Sequence, residues 1–171
     1  MFYVVSALGN FGDTSTNLLY RLVHGEMPVN LNPKVWWLVI GIDDLRSKKC
    51  SEEVVIMGII RNVEEILVKK PSTKIVINGI FPTADNKNGV LGKFWTATRT
   101  INRELRKFAE KHERVHFVDH GRMFLDRDTI GSKNTKINLE MMRDGIYLDS
   151  VGYRMWGEAV QLKAAKLLVQ K

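Results

Sequence analysis

Lys34-Val35-Trp36-Trp37-Leu38-Val39-Ile40-Gly41-Ile42-Asp43-Asp44 is the stretch that decides the fold. Lys34 to Gly41 reads as a nearly continuous apolar strand, ending in Ile42-Asp43-Asp44. Strands of that kind are covered on both sides, which is the condition of a parallel sheet between helices. Asp43 and Asp44 then fall just past the strand's C-terminal end, where open α/β sheets place their ligands.

Working outward, the same alternation of strand and helix recurs. Phe2 to Leu8 reads as a short buried strand stopped by Gly9-Asn10, followed by a turn-rich loop and a short helix from Asn17 to Val23. Such a strand, glycine loop and helix often points backbone N–H groups at a ligand. Ser51 before Glu52-Glu53 is an N-cap signal, and Lys69-Lys70 closes the helix it opens, as the helix dipole prefers. Lys74 to Phe81 is a third strand, closed by Pro82, and Thr83 to Gly92 is a polar loop long enough to cover a site. A helix is expected from about Thr96 to Lys111, a fourth short strand from Val115 to Val118, and an irregular stretch from Asp119 to Lys136. The last helix runs from about Val151 to Val169. The expectation is an α/β fold: one domain over residues 1–171, a three-layer sandwich with a parallel sheet of about four strands and right-handed crossovers.

Composition agrees with that and narrows the partners. With 44% hydrophobic and 26% charged residues, the chain can bury an ordinary core. The net charge of +7 raises the question of an anionic partner, yet Lys48, Lys69, Arg103, Lys107 and Lys166 are scattered as solvated helix faces would scatter them. Nucleic acid is not expected. One cysteine, Cys50, excludes an intrachain disulfide and a Cys-rich zinc site, and its expected role is packing. No apolar run approaches the roughly 20 residues of a membrane span, and the N-terminus lacks a charged signal region. The reading is of a cytoplasmic protein.

The motif that carries chemistry is Arg143-Asp144-Gly145-Ile146-Tyr147-Leu148-Asp149-Ser150-Val151-Gly152-Tyr153. An acid and a glycine ahead of an apolar helical tail is how several hydrolases present their acid and base. The base would be a histidine at position 147, where this chain has Tyr147.

Two further stretches join it. Gly9-Asn10-Phe11-Gly12-Asp13-Thr14-Ser15, with Leu19-Tyr20-Arg21-Leu22 and Gly25-Glu26, resembles the second conserved block of the SGNH (GDSL-type) hydrolases. Leu38-Val39-Ile40-Gly41-Ile42-Asp43-Asp44 resembles the third, and Asp144 to Leu148 with Gly152-Tyr153 the fifth. Their order and spacing cover nearly the whole chain, and the acetylhydrolase branch of the family is the nearest match.

The resemblance implies ester hydrolysis by a serine in a Gly-Asp-Ser motif, with a histidine base oriented by an aspartate. A backbone N–H and an asparagine side chain would complete the oxyanion hole. Carried over residue by residue, Gly12 takes the place of the oxyanion-hole glycine, a role that needs only a backbone N–H in a tight loop. Asp43 stands where the asparagine donor belongs, and an ionised carboxylate donates nothing. Loss of one such donor costs roughly 2.7–4 kcal/mol of transition-state stabilisation. Asp144 matches the acid and Tyr147 the base, but a phenol with a pKa of about 10 is a poor base near neutral pH. Of His24, His112, His116 and His120, the last is the best-placed substitute, past a strand's C-terminal end. Thr14 or Ser15 as a nucleophile requires reading Gly12-Asp13-Thr14-Ser15 as the first block, which its continuation fits less well than the second.

The resemblance makes the first strand seen here the family's second, so the Gly-Asp-Ser strand and its helix are absent and the SGNH-like domain is N-terminally incomplete. In the flavodoxin-like order that strand is central. Either the sequence is part of a longer chain, or the flanking strands pair directly, or another chain supplies a strand. The functional expectation is a divergent SGNH protein, a pseudoenzyme without serine-esterase chemistry, holding a small acyl ester or related ligand in the old pocket. The resemblance suggests a homodimer and implies neither cofactor nor metal. Two alternatives stand beside it: an active carboxylic-ester hydrolase whose nucleophile lies outside this sequence, and a basic anion-binding module resting on the charge alone.

Overall fold

The computed structural model describes residues 6–169. Strands β1 (Val35–Leu38), β2 (Lys74–Asn78) and β3 (Val115–Val118) form a parallel sheet in the order β1-β2-β3, with Trp37 opposite Val76 and Val76 opposite His116. Consecutive residues of a strand point to opposite faces. Ile75 and Val76 are both fully buried, so the sheet is covered on both sides, as the unbroken apolar runs required.

Helices α1 (Ser15–Val23), α3 (Glu52–Lys69) and α4 (Lys93–Ala109) build one layer. Their buried stripes, Leu18 and Leu22 on α1, Val55, Ile59, Val63 and Ile66 on α3, and Ile101 and Leu105 on α4, join Trp36, Leu38, Ile75, Ile77 and Val115 in one core. Each fully buried aliphatic side chain there contributes about 1.5–3 kcal/mol relative to exposure. Helix α5 (Ser150–Val169) covers the other face, where Lys74 Nζ donates to Leu167 O at 2.9 Å and Trp156 Nε1 to Asn78 Oδ1 at 3.2 Å. The architecture is the three-layer α/β/α sandwich.

The capping signals are realised. Ser51 caps α3 by accepting from Val54 N, and Thr14 caps α1 in a reciprocal box with Asn17. Past β2, Asn102 of α4 accepts from Ile80 N at 2.8 Å and donates to Ile80 O at 2.9 Å, satisfying the backbone where the ladder ends.

Three expectations need correction. The described sheet has three strands. Of the strand expected from Phe2 to Leu8, residues 2–5 lie outside the described residues, while residues 6–8 are irregular and Leu8 is 48% exposed. Among the described residues nothing pairs with the outer edge of β1. The strand expected through Gly41 stops at Leu38, because the chain turns at Gly41 (φ +115°) into a short helix, α2 (Ile42–Arg46), which the sequence reading did not foresee. A Cβ at Gly41 would lie 2.9 Å from both Ile59 Cδ1 and Ile80 Cδ1. Glycine there answers both the backbone conformation and the close approach.

The stretch from Asp119 to Lys136 is more structured than expected. It contains two 3₁₀ turns, Gly121–Phe124 and Arg127–Thr129, and contributes Phe124 and Leu125 to a second small core with Ala84, Ile137, Met142 and Leu148. That core holds the motif around Asp144 at the C-terminal ends of the strands.

Candidate functional site

Helix α2 presents Asp43 in its first turn, 7% exposed. Its Oδ1 accepts two hydroxyl hydrogen bonds, from Ser47 Oγ at 2.8 Å and from Tyr147 Oη at 3.0 Å. Burial is the first cause that pushes the Tyr147 phenol above its ordinary value of 10, and the hydrogen bond to Asp43 is the second. The neighbouring charges of Asp43 and Asp144 raise it further, against Arg46.

Asp144 acts on position 147 through the backbone. Its Oδ1 accepts from the N–H groups of Ile146 and Tyr147, both at 2.8 Å, closing a turn that sets the Tyr147 ring. Gly145 (φ +71°) donates nothing to that turn but gives its carbonyl to Ala84 N at 2.7 Å, and a Cβ on it would meet Ala84 Cβ at 2.7 Å. Arg46 Nη1 reaches the same loop, donating to Thr83 Oγ1 at 3.1 Å and Ala84 O at 3.0 Å, while its guanidinium lies 4.4 Å from the Phe94 ring centre. The loop after β2 is thereby fastened to both α2 and the Asp144 motif.

Gly12 lies in an exposed turn at φ +80° with open space where a Cβ would be, so the turn alone accounts for the glycine. Its neighbour Phe11 packs a tilted ring on Tyr147, centres 5.1 Å apart, which brings the Gly12 loop to the Asp43–Tyr147 pair. The four positions the sequence singled out therefore converge at one end of the sheet.

The remaining candidates are engaged elsewhere. Ser15 donates from N and Oγ to the two oxygens of buried Asp44, at 2.8 and 2.6 Å, and Thr14 Oγ1 donates to Asn17 Oδ1 at 2.6 Å. Arg21 binds Asp13 and Glu26, whose hydrogen bonds, Glu26 first, raise its pKa further. His120 stacks parallel on Trp37 with centres 6.2 Å apart, its pKa pushed down by burial against the pull of Asp119. His24 and His112 each bond a carbonyl one helical turn back. Among the described residues no histidine bonds to Asp43, Asp144 or Tyr147, and no cluster of metal-ligating side chains is found.

Two features escaped the sequence reading. Asp44 was visible only as a second acid beside Asp43, and its partner Ser15 lies 29 residues away. Asn78, accepting from the indole N–H groups of both Trp37 (3.3 Å) and Trp156 (3.2 Å), gave no signal beyond its place at the end of a strand.

No family model matches the chain. Among curated proteins it is 26% identical over 159 residues to the alpha1 subunit of platelet-activating factor acetylhydrolase IB of Bos taurus, covering 93% of this chain and 62% of that one. To the human alpha2 subunit it is 28% identical over 142 residues, covering 83% of this chain and 56% of that one. The chain thus spans about six-tenths of the length of these relatives. Among solved structures, a GDSL-like lipase from Bacteroides thetaiotaomicron superposes with a TM-score of 0.73 at 17% identity, over 91% of this chain and 72% of that one. A carbohydrate esterase family 3 protein from Talaromyces cellulolyticus gives 0.65 at 14% identity, over 91% and 68%.

Proposed function

We propose that the chain is a divergent relative of the SGNH (GDSL-type) hydrolases that has given up serine-ester hydrolysis and keeps the site as a binding surface, a reading supported by its likeness to the acetylhydrolase subunits. The observation that carries this is the Tyr147–Asp43 hydrogen bond. It couples the two positions at which the family resemblance expects the base and the oxyanion-hole donor, and satisfies each with the other.

Both partners are ill suited to acyl transfer. A phenol whose pKa is raised above 10 holds its proton at neutral pH, so it cannot take one from a nucleophile. The Asp43 carboxylate would face a developing oxyanion with like charge and no donor. Asp144, freed of an imidazole to orient, spends its hydrogen-bonding oxygen on the turn at Ile146 and Tyr147. A fluorophosphonate probe, which labels an activated serine whatever the acyl specificity, tests this. Intact-mass analysis is expected to show no adduct, and stoichiometric labelling of the folded chain would overturn the reading.

An active carboxylic-ester hydrolase is the second reading, favoured by the chain's covering only 62% of the alpha1 relative. It places the nucleophile in polypeptide outside this sequence and still requires Tyr147 and Asp43 to part. A longer chain that takes up the probe would support it.

A further inference from the structure

Helix α3 carries two stripes. Val55, Ile59, Val63 and Ile66 are buried in the core, with Asn62 beside them. On the opposite side Val54, Met57, Arg61, Glu64 and Val68 recur at spacings of three and four, which places them on one face. That face is open: Val54 is 52%, Met57 69% and Val68 77% exposed, and the Arg61 and Glu64 side chains are half exposed. From Val54 to Ile60 no residue of α3 is polar, a composition that belongs to a helix covered all round. Beside the stripe, a groove of about 530 Å³ lies between α3 and α1, walled by Leu19, Val54, Met57 and Ile60.

Reversed, this outer stripe is its own complement. A second α3 laid antiparallel, with the two-fold axis crossing between Asn62 and Val63, sets Arg61 against the partner's Glu64 and Glu64 against the partner's Arg61. The same register sets Met57 against the partner's Val68 and Val68 against the partner's Met57. Each charge meets its opposite and each apolar side chain meets an apolar one. Within one helix Arg61 and Glu64 pair at 3.3 Å, an exposed contact that loses little when each turns to the other copy. Ser15 of α1 lies beside Gly58, so α1 runs along this face, and its exposed Tyr20 and Val23 widen the apolar surface toward the roughly 800 Å² per copy that an ordinary stable dimer buries. We propose that the chain associates with a second copy of itself through the outer face of α3, in this antiparallel register. The Asp43–Tyr147 site, at the strand ends, takes no part in the contact, which stands whether or not that site hydrolyses.

Sedimentation equilibrium of the full chain at micromolar concentration is the test, and a dimer is expected. Arg61→Glu sets like charge against the partner's Glu64, and Glu64→Arg sets like charge against the partner's Arg61. Each variant alone should dimerise at least tenfold more weakly, with unchanged circular dichroism because both positions are exposed. Mixed in equal amounts, the two variants should form a heterodimer of nearly parental affinity, detected by native mass spectrometry, since every charged layer is complementary again. A monomeric parent chain would overturn the proposal. A dimer that both single reversals leave intact would overturn it as well, because the contact would then lie elsewhere. Weakened single variants that fail to recombine on mixing would rule out the antiparallel register, and the proposal with it.

Discussion

Tyr147 and Asp43, 104 residues apart in sequence, are joined at 3.0 Å from phenol to carboxylate at the C-terminal end of the sheet. The bond ties the Asp144–Leu148 motif to α2 and leaves the Asp43 carboxylate with two hydroxyl donors on one oxygen. A hydrogen bond to a charged acceptor is worth roughly 1.5–3 kcal/mol net. Tyr147→Phe keeps the ring against Phe11 and removes only that donor, so it should lower unfolding stability by about that range. Chemical denaturation of Tyr147→Phe, Asp43→Asn and the double variant should show coupling: the double variant loses less than the sum of the singles.

Ser15 and Asp44, each 3% exposed, form a second link between α1 and α2. Asp44→Ala strands two buried donors, and a loss of about 2–5 kcal/mol is expected. Gly58→Ala reaches the same link from α3, since its Cβ would lie 2.1 Å from Ser15 Oγ. It should destabilise as well, although alanine favours a helix interior by roughly 1 kcal/mol. Thermal melts would check both, and a Gly58→Ala variant more stable than the parent would contradict the packing described.

Gly145→Ala combines a left-handed backbone position, φ +71°, with a clash against Ala84 Cβ. The expected cost is about 1–3 kcal/mol. It should be accompanied by loss of amide protection at Ala84, whose N–H bonds Gly145 O, measurable by hydrogen exchange.

Stability should fall toward both ends of the pH scale for separable reasons. Tyr147 is raised by burial and by Asp43, so the folded chain holds a proton the unfolded chain releases from about pH 10. Its contribution is complete below pH 10 and is lost as pH rises through the folded value. His116 and His120 are lowered, first by burial; Lys163 and Lys74 add to this at His116, and Asp119 opposes it at His120. Unfolded histidines bind protons from about pH 6.5, so stability is lost as pH falls from 6.5 through the folded values. Denaturant midpoints across pH should lose the alkaline limb in Tyr147→Phe and most of this acidic step in a His116→Gln, His120→Gln variant.

The sequence disclosed what periodicity and capping encode. The runs expected as strands at 34–41 and 74–81 contain the shorter parallel strands β1 and β2, and Ser51 and Lys69 marked the ends of α3. The motif frame singled out Gly12, Asp43, Asp144 and Tyr147; Asp43 and Asp144 each bond Tyr147, and Phe11, the neighbour of Gly12, packs on its ring. Hidden were features set by tertiary approach. The turn at Gly41 depends on Ile59 and Ile80, the Ser15–Asp44 link on the approach of α1 to α2, and the small core around Phe124 on residues with no common period. The expected role of Asp144 as a side-chain orienter became a backbone one, because a turn acceptor and a histidine partner look alike in sequence.

The most direct test of the central claim is hydrolysis of p-nitrophenyl acetate by the unmodified 171-residue chain beside its Asp144→Ala variant. The account predicts rates for both that match the chain's thermally unfolded control. Saturable hydrolysis by the unmodified chain that Asp144→Ala abolishes would contradict it.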